Sequence, residues 1–292
     1  MEQSLCTIIS SREIIPGSFS MWLDAPGIAA TVQPGQYITI LCNGFTLRRP
    51  FSIHQAVSRQ ICILFKVLGK GTTWLSKQQK GTELNILGPL GKGFVLLPET
   101  KNLLLLAGGA GIAPLTYLAQ HASPGHSVTL IHGVNTVSQL YPHELLSAVI
   151  STPQKGNASN TANKPSHHDY FQYVTISEDG SSGKKGMVTD VLADFLDWAD
   201  QVFACGPVNM YIALSELAHT IDTSGLLEDQ RQIKLTNRLK LLKCQLSLEL
   251  RMGCGTGACY GCSINTKSGM KKVCSDGPVF ELDQVIWDEI RI

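Results

Sequence analysis

The apolar positions of residues 5–98 fall in short runs separated by turn chemistry. CTIIS, SFSMWLDA, QYITILCN, QICILFKVL and TELNILGPL carry β-branched and aromatic residues, and Pro16-Gly17, Pro34-Gly35 and Asn43-Gly44 punctuate them. Short strands at such close spacing predict an antiparallel β-barrel over residues 1–98. The pattern then changes period. KNLLLLAGGAGIAPLTYLAQHA reads as a fully apolar strand, a glycine turn and an amphipathic helix, and SVTLIHGVN as a second buried strand before a helix over YPHELLSAVI. FQYVTISED, a helix over TDVLADFLDWA, the strand QVFACGP and the helix VNMYIALSELAHTI follow. Strands alternating with helices predict a parallel, doubly wound α/β domain over residues 99–222.

Two segments depart from this pattern. STPQKGNASNTANKPSHHD (151–169) has almost nothing apolar and predicts a surface insertion, in which His167-His168 fits a solvated loop better than a metal hook. TSGLLEDQRQIKLTNRLKLLK (223–243) is charged and partly helical. It reads as a connection, with KCQLSLELRM as the strand entering a small C-terminal module over residues 244–292.

Composition narrows the function classes. The chain has 292 residues, 43% hydrophobic and 16% charged, with a formal net charge of +1. That length supports more than one core. Near-neutral charge without a basic stripe or arm argues against a nucleic-acid partner. No apolar run reaches membrane-spanning length, and MEQSLCTIISSREI lacks the layout of a signal peptide, so a cytoplasmic protein without a membrane anchor is expected. Nine cysteines then fit a reducing compartment better than a disulfide framework. Cys6, Cys42, Cys62, Cys205 and Cys244 are scattered and read as small buried side chains.

The other four are organised. Cys254, Cys259, Cys262 and Cys274 follow C-x4-C-x2-C-x11-C inside the glycine-rich run RMGCGTGACYGCS, the plant-type spacing for a [2Fe–2S] cluster held by four thiolates. A structural zinc site is the alternative, but zinc modules present two short cysteine hooks set well apart. Three clustered cysteines and one distant one fit the cluster better. Gly253, Gly255, Gly257 and Gly261 suit a loop that wraps closely with its N–H groups free to bond sulfur.

Three further motifs carry candidate chemistry. Gly108, Gly109 and Gly111 lie between a buried strand and a helix, where free N–H groups and the helix dipole can hold a pyrophosphate, with Pro114 in the first turn. After Leu130 the run HGVNTVSQLY has no Arg or Lys for a 2′-phosphate, which favours NAD over NADP. Arg48-Arg49-Pro50-Phe51-Ser52 lies at the end of a barrel strand. Read from the residues alone, Arg49 suits either a phosphate contact or an exposed salt bridge, and Ser52 can bond a ring nitrogen or carbonyl. FKVLGKGTT (65–73) adds a glycine-rich turn opening a short helix.

RPFS, GKGT and GGAGIAP, in that order, resemble the ferredoxin–NADP reductase-like flavoproteins, which pair an FAD-binding barrel with a nicotinamide-binding domain. LSLELRMGCGTGACYGCSI with KKVCSDGPVF, and also DGSSGKKGMVTDVL and LGPLGKGF, narrow the resemblance to electron-transfer subunits of the NAD-linked dihydroorotate dehydrogenase. The resemblance implies that Arg49, Pro50, Phe51 and Ser52 contact the flavin. Leu64, Phe65 and Lys66, with Gly71 and Thr72, would complete the FAD site, and Cys205-Gly206-Pro207 would lie beside the nicotinamide. Two positions depart from the family: Lys66 stands where Arg is usual, losing bidentate phosphate recognition, and Leu250 replaces an acidic residue common before Arg-Met.

The implied function is a conduit. A nicotinamide exchanges two electrons together and an iron–sulfur cluster exchanges one, so a flavin belongs between them. The expected cofactors are FAD and [2Fe–2S], with NAD as the exchanging substrate and no catalytic acid or base. The expected partner is the dihydroorotate-oxidising FMN subunit of pyrimidine biosynthesis, two copies of each chain forming a heterotetramer, because no segment here could form the dihydroorotate pocket. The alternatives are the flavin subunit of a soluble hydrogenase or of an NADH-dependent ferredoxin:NADP oxidoreductase, and, from another class, a zinc-dependent assembly or regulatory module.

Overall fold

The computed structural model describes residues 1–122, 125–151, 170–219, 238–239 and 242–290. The polar segment after Ser151, with its histidine pair, and most of the 223–243 connection lie outside the described residues.

The first six strands are β1 (Glu2–Ile15), β2 (Ser18–Asp24), β3 (Tyr37–Leu41), β4 (Arg49–Val57), β5 (Gln60–Lys66) and β6 (Glu83–Leu90). They close into an antiparallel barrel in the order β1-β2-β5-β4-β3-β6. Alternate side chains such as Cys6, Ile8, Met21, Leu23, Ile38, Ile40, Ile61 and Ile63 fill its interior. Gly17, at φ +72°, lets β1 turn back into β2 within two residues. The short helices α1 (Pro26–Thr31) and α2 (Lys70–Ser76) cover the barrel and bury Ile28 and Leu75.

The chain continues through β7 (Asn102–Gly108), α3 (Ile112–Ala122), β8 (Ser127–Val134), α4 (His143–Ser151), β9 (Phe171–Ser177), β10 (Lys184–Lys185), α5 (Ala193–Leu196), β11 (Gln201–Cys205) and α6 (Val208–His219). After the connection come β12 (Lys243–Ser247), β13 (Ser263–Thr266), β14 (Gly269–Lys272), α7 (Val273–Asp276) and β15 (Val279–Glu281). One seven-stranded sheet has the order β10-β9-β8-β7-β11-β12-β15, and β13–β14 form a separate hairpin. The sheet does not stop near residue 222: β12 adds parallel to β11, and β15 adds antiparallel to β12. Leu103 and Leu105 pack towards α3 and α4, whereas Leu104 and Leu106 pack towards α6. Burial on both faces is why this strand reads as an unbroken apolar run. β7 has β8 on one side and β11 on the other, so chain order reverses there and opens a crevice at the strands' carboxyl ends.

Buried polar contacts lock the barrel to the sheet. Gln201 and Gln245 bond the segment after β6, with Val95 N donating to Gln245 Oε1 (2.9 Å) and Leu97 N to Gln201 Oε1 (3.1 Å). His54 of the barrel bonds Ala113 O (3.1 Å) and the Tyr141 hydroxyl (3.0 Å). His132 bonds Gly109 O (3.0 Å) and the Tyr173 hydroxyl (2.9 Å). Two imidazoles thus hold both ends of the glycine turn.

Burial pushes both imidazoles down to about 4, against the carbonyl bonds that act the other way. An unfolded histidine titrates near about 6.5. Between those values the unfolded chain binds more protons than the folded one, so stability falls as pH drops through that window. Each ring contributes about 3 kcal/mol. The denaturant midpoint should therefore fall steeply from about pH 7 to about pH 4.5, and less so in His54→Gln. A flat midpoint over that range contradicts the assignment.

Candidate functional site

A cavity of about 280 Å³ lies where the barrel meets the crevice. Pro50, Phe51, Ser52, Leu64, Phe65, Lys66 and Thr72, seven of the nine residues expected at a flavin, line it together. They meet because β4 and β5 are paired neighbours and α2 follows β5 directly. Ala110 and Ala113 close one side, and Ser247–Leu250 with Met252 close another.

The other two expected residues stand just outside. Arg49 opens β4, donates Nη1 to Leu47 O (2.7 Å) and lies over the Phe45 ring at 5.2 Å. Gly71 makes room for it: a Cβ at Gly71 would be 2.9 Å from Arg49 Nε. Thr72 lines the cavity, but its hydroxyl caps α2, accepting from Leu68 N (3.0 Å) and Gly69 N (3.1 Å).

A second cavity, about 430 Å³, occupies the crevice itself. Gly108, Gly109 and Ala110 line it at the end of β7, Gly133–Asn135 at the end of β8, Glu178 after β9 and Pro207 after β11. Gly111 does not reach the cavity. A Cβ there would stand 1.9 Å from Cys205 O, so this glycine serves the contact between α3 and β11. Gly108 serves both roles, since its Cβ would meet Pro207 Cδ at 2.7 Å. Cys205 is fully buried behind the wall, bonding Ser247 O (3.7 Å) and Glu249 Oε1 (3.8 Å), and Gly206 packs against Gly108. Burial first, and then Glu249, holds the Cys205 thiol well above its ordinary range. A larger, more open hollow of about 620 Å³ is lined, among the described residues, by Ile9, Ser10, Ser11 and residues 76–80, with no ring, acid or cysteine.

Glu249 lines both cavities. Its side chain is exposed to them, and desolvation by the walls of the two cavities raises its pKa. The available sequence signal was one charge in the apolar run QLSLEL. Tyr37 carried no such signal. It lines the smaller cavity, and its hydroxyl donates to Cys274 O (2.9 Å) and Gly255 O (3.3 Å). One barrel tyrosine therefore ties that cavity to the cysteine loop.

The loop itself presents five backbone N–H groups to the four sulfurs. Thr256 N and Cys259 N donate to Cys254 Sγ (3.4 Å each), Gly257 N to Cys274 Sγ (3.1 Å), Gly261 N to Cys259 Sγ (3.4 Å) and Cys274 N to Cys262 Sγ (3.4 Å). Gly255 at φ +73° and Gly257 at φ +84° make this wrap possible. Burial opposes ionisation of Cys254, but the N–H groups of Thr256 and Cys259 together lower it to about 5. Burial and the neighbouring Cys262 push Cys274 up to about 12. Two buried hydroxyls beside the loop, Thr39 Oγ1 and Ser275 Oγ, have no hydrogen-bond partner. Unspent donors and sulfur-directed amides fit a sulfide-containing anion held by thiolates. Among the described residues no three His, Cys, Asp or Glu side chains stand close enough to share one metal ion; a cluster divides its four ligands between two irons.

Residues 249–286 match the iron–sulfur cluster binding domain of dihydroorotate dehydrogenase B, and residues 105–216 match the oxidoreductase NAD-binding domain. The chain is 32% identical over 285 residues to the dihydroorotate dehydrogenase B (NAD(+)) electron transfer subunit of Caldanaerobacter subterraneus subsp. tengcongensis, covering 96% of this chain and 97% of that one. It is 33% identical over 295 residues to the subunit of the same name from Desulforamulus reducens, with the same coverage of 96% and 97%. Among solved structures, an NADH-dependent reduced ferredoxin-NADP oxidoreductase superposes with a TM-score of 0.75 at 24% identity, over 98% of this chain and 91% of that one. A ferredoxin NADP+ reductase from Neisseria gonorrhoeae with bound FAD and NADP gives 0.59 at 16% identity, over 80% and 96%.

Proposed function

The chain belongs to the family of dihydroorotate dehydrogenase B (NAD(+)) electron transfer subunits, and from that premise we propose that it carries electrons between a dihydroorotate-oxidising flavin subunit and NAD through FAD and a [2Fe–2S] cluster. It is an oxidoreductase subunit whose catalytic partner is a separate chain. Two copies of each chain, acting in the cytoplasm, complete the proposal. The division at residues 98, 222 and 243 is retained, with β12 and β15 lending an edge to the central sheet. Among the described residues no helix is long and apolar enough to cross a membrane.

One observation carries the reading: the three sites are contiguous. Glu249 is shared by the two cavities, and Tyr37 joins the smaller one to the cysteine loop. FAD, when bound, can exchange electrons in pairs with a nicotinamide and singly with an iron–sulfur centre. The protein's part is placement. Phe51, Phe65 and Tyr37 give the flavin cavity an apolar wall that excludes water, and Ser52 and Lys66 supply its polar contacts. Gly108–Ala110 bring bare backbone to the nucleotide cavity. Cys254, Cys259, Cys262 and Cys274 hold iron while the loop's N–H groups share the sulfur charge. The NADH-dependent oxidoreductase alternative shares the fold, but relatives above 30% identity support the dihydroorotate reading.

Among the described residues no lysine or arginine lines the nucleotide cavity, and Glu178 does. A carboxylate there can accept from a ribose hydroxyl and repels a 2′-phosphate. In an anaerobic titration, NADH should bleach the flavin and iron–sulfur bands at about tenfold lower concentration than NADPH. Glu178→Arg should narrow that gap. Equal bleaching by both coenzymes in the unaltered protein contradicts the assignment of Glu178, and no bleaching by either contradicts the proposed function.

A further inference from the structure

The cysteine loop has a cation seated on it. Lys272 ends β14, two residues before Cys274, and its side chain is half-buried. Its ammonium donates to Gly257 O (3.1 Å) and lies 4.7 Å from the centre of the Tyr260 ring. Both partners are inside the loop: Gly257 between Cys254 and Cys259, Tyr260 between Cys259 and Cys262. Gly257 also donates its N–H to Cys274 Sγ at 3.1 Å, so the residue whose carbonyl holds the ammonium has its amide on a ligand sulfur. A Cβ on Gly257 would come within 3.3 Å of Lys272 Nζ and 3.0 Å of Ser275 Oγ, so the side chain is packed into the loop and does not sweep over it.

Among the described residues the ammonium has no ion-pair partner. Asp276 accepts from the main-chain N–H of Lys272 (2.8 Å), not from its ammonium. Among the described residues no carboxylate lies within ion-pair distance of Lys272; the ion pair found there joins Arg59 and Asp24. A half-buried ammonium held by a carbonyl and a ring face lacks an anion, and a cluster bound by four thiolates is an anion that gains one further negative charge on reduction.

We propose that Lys272 sets the potential of the iron–sulfur centre, its fixed charge stabilising the reduced state and so helping the centre accept an electron. This rests on the reading of the four cysteines as cluster ligands. Lys272 acts through the field at the loop and is a positioning residue, not a ligand.

The test is an anaerobic, dye-mediated redox titration of the purified chain, followed by the electron paramagnetic resonance signal of the reduced cluster, with iron per chain measured alongside. Lys272→Met should retain its iron yet favour the oxidised state at least tenfold more than the unaltered chain, a midpoint lower by about 59 mV or more. Lys272→Arg, which keeps the charge, should stay within a few-fold. An unchanged midpoint in iron-loaded Lys272→Met overturns the proposal. Should the Met variant fail to load, Lys272→Gln is titrated in its place, and failure of every neutral variant to load overturns it too, by making Lys272 a structural prop. An unaltered chain without iron removes the cluster reading and this proposal with it.

Discussion

Cys259→Ser loses the iron–sulfur absorption and all dihydroorotate-dependent NAD reduction, while the chain folds as before. Cys259 is the exposed member of the four cysteines, so its replacement removes no core packing, and any loss of stability comes from the missing cluster. What it removes is a thiolate, the soft ligand that iron–sulfur centres require. Gly261 N, now 3.4 Å from Cys259 Sγ, would face a hydroxyl that holds iron poorly. Iron per chain should fall close to zero, and NADH oxidation by an artificial acceptor that draws on the flavin should survive. Cys205→Ser makes the contrast, since that thiol is buried in the sheet apart from the loop and its loss should spare the iron. A Cys259→Ser chain with normal iron and full activity contradicts the ligand assignment.

Gly111→Ala should be the most damaging single change in the nucleotide-binding domain. The new Cβ would sit 1.9 Å from Cys205 O and 2.3 Å from Cys205 C. Both are backbone atoms of a central strand paired on each side, so no rotamer change relieves the clash. α3 must move away from β11, and with it the glycine turn that His54 and His132 hold. Overpacking of this kind costs about 3 kcal/mol, a fall in melting temperature of roughly 6–12 °C. NADH should also bleach the protein less readily. Gly109→Ala is the control: Gly109 has φ +52° but nothing within 4 Å of its Cβ, so only the left-handed backbone is penalised, by about 1 kcal/mol. Equal losses at the two positions contradict the division of roles.

That division was hidden in the sequence, where Gly108, Gly109 and Gly111 read as one phosphate cradle. What could be read from the chain alone was local. Turn residues between short β-branched runs marked the barrel, a four-leucine run marked a strand buried on both faces, and C-x4-C-x2-C-x11-C marked the candidate iron ligands. Arg49 and Thr72 sat in motifs expected at a flavin, but the structure spends the Arg49 side chain on Leu47 and Phe45 and the Thr72 hydroxyl on capping α2. The residues that escaped notice act across the chain. Tyr37 bonds partners 218 and 237 residues away, and β15 completes a sheet begun much earlier. Periodicity and motif spacing report on neighbours, and such contacts exist only once the barrel, sheet and loop have packed. Glu249 and Lys272 escaped for the same reason, because a charge shows its use only when the groups around it are in place.

The most direct test of the electron path mixes the purified chain with the dihydroorotate-oxidising subunit of its own genome and follows NAD reduction by dihydroorotate under anaerobic conditions. NAD should be reduced only when both chains are present, and reduction should stop with Cys259→Ser. No NAD reduction from the mixture, with a chain that is yellow-brown and bleached by NADH, would contradict the dihydroorotate partner and leave the oxidoreductase alternative in its place.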